Sequence, residues 1–167
     1  MVEVRRVRLS DTSALKDLRL EALRTDRMAF GSTVEREQAF PPERWKERTR
    51  QGSVDERWAT FIAEEANGTL VGMVTVGAPK EATSFNIFGM WVRPSHRGRG
   101  LGGRLLDAAL EFAERASPGA TVELEVVRTQ EAAVRTYESR GFRFTGATEP
   151  LGHSAPAVCH LMIRPGR

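Results

Sequence analysis

Val92-Arg93-Pro94-Ser95-His96-Arg97-Gly98-Arg99-Gly100-Leu101-Gly102-Gly103-Arg104 is the stretch on which the reading of this chain turns. Before it, Ser84 to Val92 reads as a strand, which Pro94 closes because proline cannot donate to a ladder and restricts its neighbour. After Gly103 the apolar period changes. Leu101, Leu105, Leu106, Ala109, Leu110, Phe112 and Ala113 share one helical face, and Arg104, Asp107, Glu111, Glu114 and Arg115 share the other. Glycines between a strand and a helix open their backbone N–H groups to an anion, with no Cβ in the way, and the helix N-terminus adds its positive end. Arg93, Arg97, Arg99, Arg104 and His96 raise the local positive potential. Physically the segment is a phosphate cradle.

Working outward, Val2 to Leu9 reads as a strand. Ser10-Asp11 reads as a helix cap, ahead of Leu15, Leu18, Ala22 and Leu23 at helical spacing. Residues 26–41 look irregular, and Pro41-Pro42 opens a second helix to about residue 51. Trp58 to Glu64 and Thr69 to Gly77 form a hairpin around Asn67-Gly68. Thr121 to Val127 is a strand and Gln130 to Arg140 a helix that stops at Gly141. Phe142 to Thr148 and Ala157 to Ile163 are two closing strands. A meander followed by β-α-β predicts an α/β (α+β) fold. Its central sheet is mixed, mostly antiparallel, with about seven strands and flanking helices.

Composition narrows the function. The chain has 167 residues, 40% of them hydrophobic and 28% charged, with a net charge of +3. That suits one globular domain and rules out a disordered or fibrous chain. One cysteine, Cys159, excludes an internal disulfide, and its strand setting gives no sign of an activated thiolate. Three widely spaced histidines suggest no metal. The start carries no apolar run of signal-peptide length, and no segment nears the roughly 18 apolar residues of a spanning helix. A cytoplasmic protein without a membrane partner is expected. Arginines number 22 against three lysines, a bias that suits an anionic partner. Nucleic acid is not expected as that partner, because no aromatic residues interleave Arg93–Arg104.

Which phosphate the cradle holds is a separate question. Gly98-x-Gly100-x-x-Gly103 formally matches a dinucleotide fingerprint, so a Rossmann-type oxidoreductase is one reading. Five residues separate Val92 from Gly98, however, and an antiparallel meander precedes them. A triphosphate loop would need Gly-Lys-Ser/Thr, and the segment has no lysine.

Arg97-x-x-Gly100-x-Gly102 resembles the acyl-CoA pyrophosphate loop of the Gcn5-related N-acetyltransferase (GNAT) superfamily. Glu125-Val126-Val127 with Gln130, and then Tyr137-Glu138-Ser139-Arg140-Gly141-Phe142, resemble the segments that follow in that family. Ala29-Phe30-Gly31-Ser32-Thr33, followed by Trp45, is similar to small-molecule members. The likeness covers essentially the whole chain, so residues 1–167 are expected to form one domain with the acyl-CoA N-acyltransferase fold.

The resemblance implies direct transfer of an acetyl group from acetyl-CoA, without a metal, to a primary amine on a small molecule or a protein. It assigns the backbone of Met90, Trp91 and Val92 to the pantetheine arm and the thioester oxygen. It assigns the amides of Gly98, Arg99, Gly100, Leu101, Gly102 and Gly103, with Arg97, to the pyrophosphate. Gln130 replaces the usual asparagine beside the arm. Tyr137 becomes the acid for the departing thiolate, and Glu125, twelve residues earlier, the base; proton removal through waters is the alternative to Glu125. Glu35 and Glu37 either attract a cationic amine or are solvated loop charges. A homodimer is a habit of the family. A non-catalytic acyl-CoA sensor would keep the loop and dispense with Tyr137 and Glu125.

Overall fold

Near-continuous apolar runs in the central strands set the architecture, because both faces of the resulting sheet must be covered. The computed structural model describes residues 1–153 and 156–166. β1 (Val2–Arg6) leads through a short 3-10 turn into α1 (Thr12–Thr25), which is followed by α2 (Val34–Gln38) and α3 (Pro42–Val54). The meander is β2 (Trp58–Glu65), β3 (Leu70–Gly77) and β4 (Ser84–Val92). Next, α4 (Leu101–Ala116) crosses to β5 (Thr121–Val127), and α5 (Glu131–Glu138) precedes β6 (Arg143–Pro150) and β7 (Val158–Arg164). The strands form one seven-stranded sheet in the order β1-β2-β3-β4-β5-β7-β6.

Only the β4–β5 pair is parallel; every other neighbouring pair is antiparallel. The mixed, mostly antiparallel sheet is therefore as the sequence predicts. It excludes the dinucleotide-binding alternative, whose doubly wound sheet is mostly parallel. Three local readings change. The 26–41 region holds α2, capped where Arg36 N–H donates to the Thr33 hydroxyl at 3.2 Å. Asp11 stands at the N-cap of α1, but its carboxylate turns back to accept from Arg8 N–H and the Arg5 guanidinium, tying the helix to β1. Helix α4 begins at Leu101, which places Gly102 and Gly103 inside its first turn.

On one face, Ala59, Phe61, Val74, Phe85, Val122 and Leu124 pack against Leu105, Leu106 and Ala109 of α4 and Tyr137 of α5. On the other, Ile62, Met73 and Trp91 pack against Leu18, Leu23 and Trp45 of α1 and α3. Burying each large apolar side chain stabilises the fold by about 1.5–3 kcal/mol.

One irregularity positions everything that follows. Met73 faces Trp91 while Thr75 faces Phe88, so β4 carries one residue more than β3 between those pairs. The bulge falls at Gly89-Met90. Gly89 has φ +63°, a left-handed value that a side chain would strain. Pairing of β4 with β5 covers only Ser84–Ile87 against Thr121–Leu124; past the bulge the two strands part.

Glu37 is neither a solvated charge nor open to an amine. It is 3% exposed, and Arg19 clamps both its oxygens, at 3.0 and 2.8 Å, while Arg48 Nη1 adds a third bond at 3.1 Å. Burial alone would raise its pKa, but the two guanidinium groups hold it down to about 2. Glu37→Gln leaves both arginines uncompensated and should destabilise the fold by about 3–5 kcal/mol, measured by urea melts near neutral pH. The ordinary value is 4.5 and the folded one lower, so this stabilisation is complete above 4.5 and lost as pH falls toward 2. The gap between variant and wild type should close over that window.

Candidate active site

Where β4 and β5 part, a cleft of about 900 Å3 runs through the sheet from the α4–α5 face to the α1–α3 face. At its α4 end, Gly98 and Gly100 have φ +72° and +74°, and nothing lies within 4 Å of where their Cβ atoms would stand. The first bond of α4 runs from Arg104 N–H to Gly100 O at 3.1 Å. The N–H groups of Leu101, Gly102 and Gly103 thus precede the helical ladder, and Gly100 supplies no capping side chain to take them. A diphosphate fits such a turn: several donors converge, the approach is free of Cβ atoms, and the helix dipole favours the anion.

The arginines of this loop contribute less than their number suggests. Arg93 forks onto Glu21 at 2.9 and 2.7 Å, and Arg104 Nη1 donates to Val2 O at 3.0 Å. Arg97 donates through Nε to Val92 O at 2.8 Å and through Nη2 to Asp26. His96 meets Glu65 at 3.0 Å. Arg99 stays exposed. The donors this turn leaves open are therefore mainly backbone N–H groups. Gly103 has a further task, since a side chain there would collide with the Arg140 guanidinium, which forks onto Asp107 and locks α5 to α4.

The residues expected at the centre all reach the cleft, with different freedom. Trp91 and Val92 sit in register with Met73 and Gly72, whereas the Gly89–Met90 bulge lies outside the β3 register. Trp91 is a core side chain, and its indole N–H donates to Asp26 at 2.6 Å. The Val92 carbonyl is taken by Arg97. Gln130 is the half-buried N-cap residue of α5, and its side chain makes no capping bond.

Tyr137 is 7% exposed, packed edge-on against Phe142 with ring centroids 6.0 Å apart, and it reaches the cleft wall. Burial pushes its phenol up to about 12, so it holds its proton throughout the working pH range. Val122, Leu124 and Val126 face α4, which by strand alternation sends Glu125 to the opposite face. Glu125 lines the cleft there, and it shares a small adjoining cavity of about 80 Å3 with Glu149 and Cys159. Burial, and next the Glu149 charge, raise the Glu125 pKa. The Cys159 thiol is raised by burial and by both carboxylates, which makes it inert.

Four residues at this site escape the sequence reading: Asp26, which bridges Trp91 and Arg97; Arg19, on the cleft wall; Glu149, beside Glu125; and Arg140, under Gly103. Only their partners across the fold reveal them.

The sequence model of the acetyltransferase (GNAT) family matches residues 20–142. The [ribosomal protein bS18]-alanine N-acetyltransferase of Escherichia coli is 34% identical over 118 residues, 71% of this chain and 75% of that one. Streptothricin acetyltransferase of Streptomyces lavendulae is 34% identical over 92 residues, 55% of this chain; the match spans about half of that relative, 48% of its length. Among solved structures, a phosphinothricin acetyltransferase of Sinorhizobium meliloti in complex with acetyl-CoA superposes with a TM-score of 0.74 at 18% identity, covering 99% of this chain and 88% of that one. The sequence match and the shared fold agree: this chain belongs to the acetyltransferase (GNAT) family, whose members are acetyl-CoA-dependent N-acetyltransferases.

Proposed function

We propose that this chain transfers an acetyl group from acetyl-CoA directly to a primary amine, with Tyr137 and Glu125 moving the protons. The observation that carries the reading is the cleft itself. It joins an amide-lined anion turn and Tyr137 on one face of the sheet to Glu125 on the other.

Acetyl-CoA, when bound, supplies a thioester carbonyl open to attack by an amine and a sulfur that leaves as thiolate. The amides of residues 98–103 hold its pyrophosphate. The Gly89–Met90 bulge would offer the pantetheine arm and the thioester oxygen backbone groups already fixed in place, so negative charge developing there would meet preorganised dipoles. Gln130 lies along the same wall. Glu125, its pKa raised by burial and by the Glu149 charge, takes a proton from the incoming ammonium, which cannot attack while charged. Tyr137 gives its proton to the departing sulfur and regains one from the nitrogen, which sheds its second proton as the amide forms. The acceptor approaches from the α1–α3 face, between Phe30 and Glu125. The relatives named above act on a protein alanine and on an antibiotic, which leaves both protein and small-molecule acceptors within this reading. A cytoplasmic location, where acetyl-CoA is at hand, accords with it, and no helix among the described residues is long and apolar enough to cross a membrane.

The direct test is CoA release from acetyl-CoA in the presence of a panel of amines; release with none of them would reject the reading. Gly102→Val should fold, since only Met90 lies near the added Cβ, at 3.9 Å, yet weaken acetyl-CoA binding severely in calorimetry. Tyr137→Phe keeps the ring packed and removes the acid, so kcat should fall by roughly 10²–10⁴ with acetyl-CoA affinity little changed. Glu125→Gln should flatten the acidic limb of the pH profile. Because the Glu149 charge raises the Glu125 pKa, Glu149→Gln should lower that pKa and move the limb to lower pH, read from kcat/KM against pH.

A further inference from the structure

We infer that Arg19 forms an anion subsite in the acceptor half of the cleft, and that the acceptor is a small amino-acid-type molecule carrying a carboxylate besides its amine. This rests on the N-acetyltransferase reading above and narrows its acceptor.

Arg19 reaches from α1 to the cleft wall, with its side chain 13% exposed. Nε and Nη2 clamp Glu37, and the guanidinium lies over the Phe30 ring at 4.6 Å, so its plane is held from two sides. Nη1 is left over. It stands 3.3 Å from where a Cβ on Gly89 would be, against the bulge and next to Met90. Among the described residues it has no hydrogen-bond acceptor.

The local charge points the same way. Glu37 serves Arg48 as well as Arg19, so one carboxylate is shared between two guanidinium groups; the side chain of Arg48 is 41% exposed and meets solvent, while that of Arg19 faces the cleft. A sheltered charge is costly when uncompensated, and a guanidinium edge matches a carboxylate in shape. The acidic residues lining the cleft do not supply the match. Asp26 is held by Trp91 and Arg97, and Glu125 stands on β5 across the parting of the strands. The acceptor half thus has a cationic wall and an anionic wall. Met28, Leu151 and Cys159, from one apolar cluster, line the space near Glu125. A zwitterion with an apolar side chain complements all three surfaces; an acceptor that is only an amine leaves Arg19 Nη1 without an acceptor.

The experiment measures CoA release with matched pairs: L-leucine, L-methionine and L-phenylalanine against their carboxamides, plus an alanine-terminated peptide. The acids should exceed their carboxamides by about tenfold or more in kcat/KM, the worth of a charge-assisted hydrogen bond. The carboxamide amine is the less basic, so more of it is neutral and the bias runs against this result. Arg19→Lys keeps a charge opposite Glu37 but loses the fork. It should erase most of the preference through the acceptor KM, leaving kcat and the KM for acetyl-CoA nearly unchanged. Equal use of acid and carboxamide, turnover of the peptide alone, or a preference undiminished in folded Arg19→Lys would each overturn the subsite. Should Arg19→Lys fail to fold, the wild-type acid-to-carboxamide ratio decides alone. Acetylation of amines without a carboxylate preference leaves the acetyltransferase reading standing, whereas silence toward every amine overturns both.

Discussion

The extra residue that β4 carries at Gly89-Met90 parts this strand from β5, and the rest of the site depends on that parting. Had the parallel ladder continued past Ile87 and Leu124, the sheet would be closed and its two faces separate. A parallel pair bonded along its full length leaves no N–H or C=O for a ligand. With the bulge in place, backbone groups at the sheet centre become available, Tyr137 reaches the gap from one face and Glu125 from the other. Gly89 supplies the left-handed φ that makes the bend inexpensive, and the Arg19 guanidinium lies against it.

Around this gap the charges are arranged to hold loops rather than to form a field. Arg93, Arg97 and Arg104 each bond a carboxylate or a carbonyl on another element, and Arg140 does the same beneath Gly103. Asp26 is a hub, since a single carboxylate oxygen accepts from Trp91 of β4 and Arg97 of the glycine-rich turn. The end of α1 is thereby tied to the α4 end of the cleft. Arginine suits such work because its planar fork satisfies several acceptors at once.

Much of this was legible in the chain. The strand Ser84–Val92 is bounded as its residues suggest, because Pro94 is a local and unambiguous signal, and Thr121–Val127 has the bounds its residues predict. The glycine turn ahead of α4 was legible for the same reason: glycine spacing and a helix start sit side by side in sequence. Five-residue α2 was not, since Val34–Gln38 is too short for a helical period to show. The ion pairs were not either. Arg19 finds Glu37 across 18 residues and Trp91 finds Asp26 across 65, distances over which only the fold can choose partners. Glu37 illustrates the cost of reading charge without topology, because an acidic residue in a polar stretch proves to be among the most buried side chains of the chain.

The passage of the cleft through the sheet has a consequence for traffic. On the proposed reading, a donor seated on the amide turn would enter from the α4–α5 face and an acceptor reaching Glu125 from the α1–α3 face. The two molecules would then have separate doorways and meet at the gap in the wall between them, and neither would have to leave for the other to arrive.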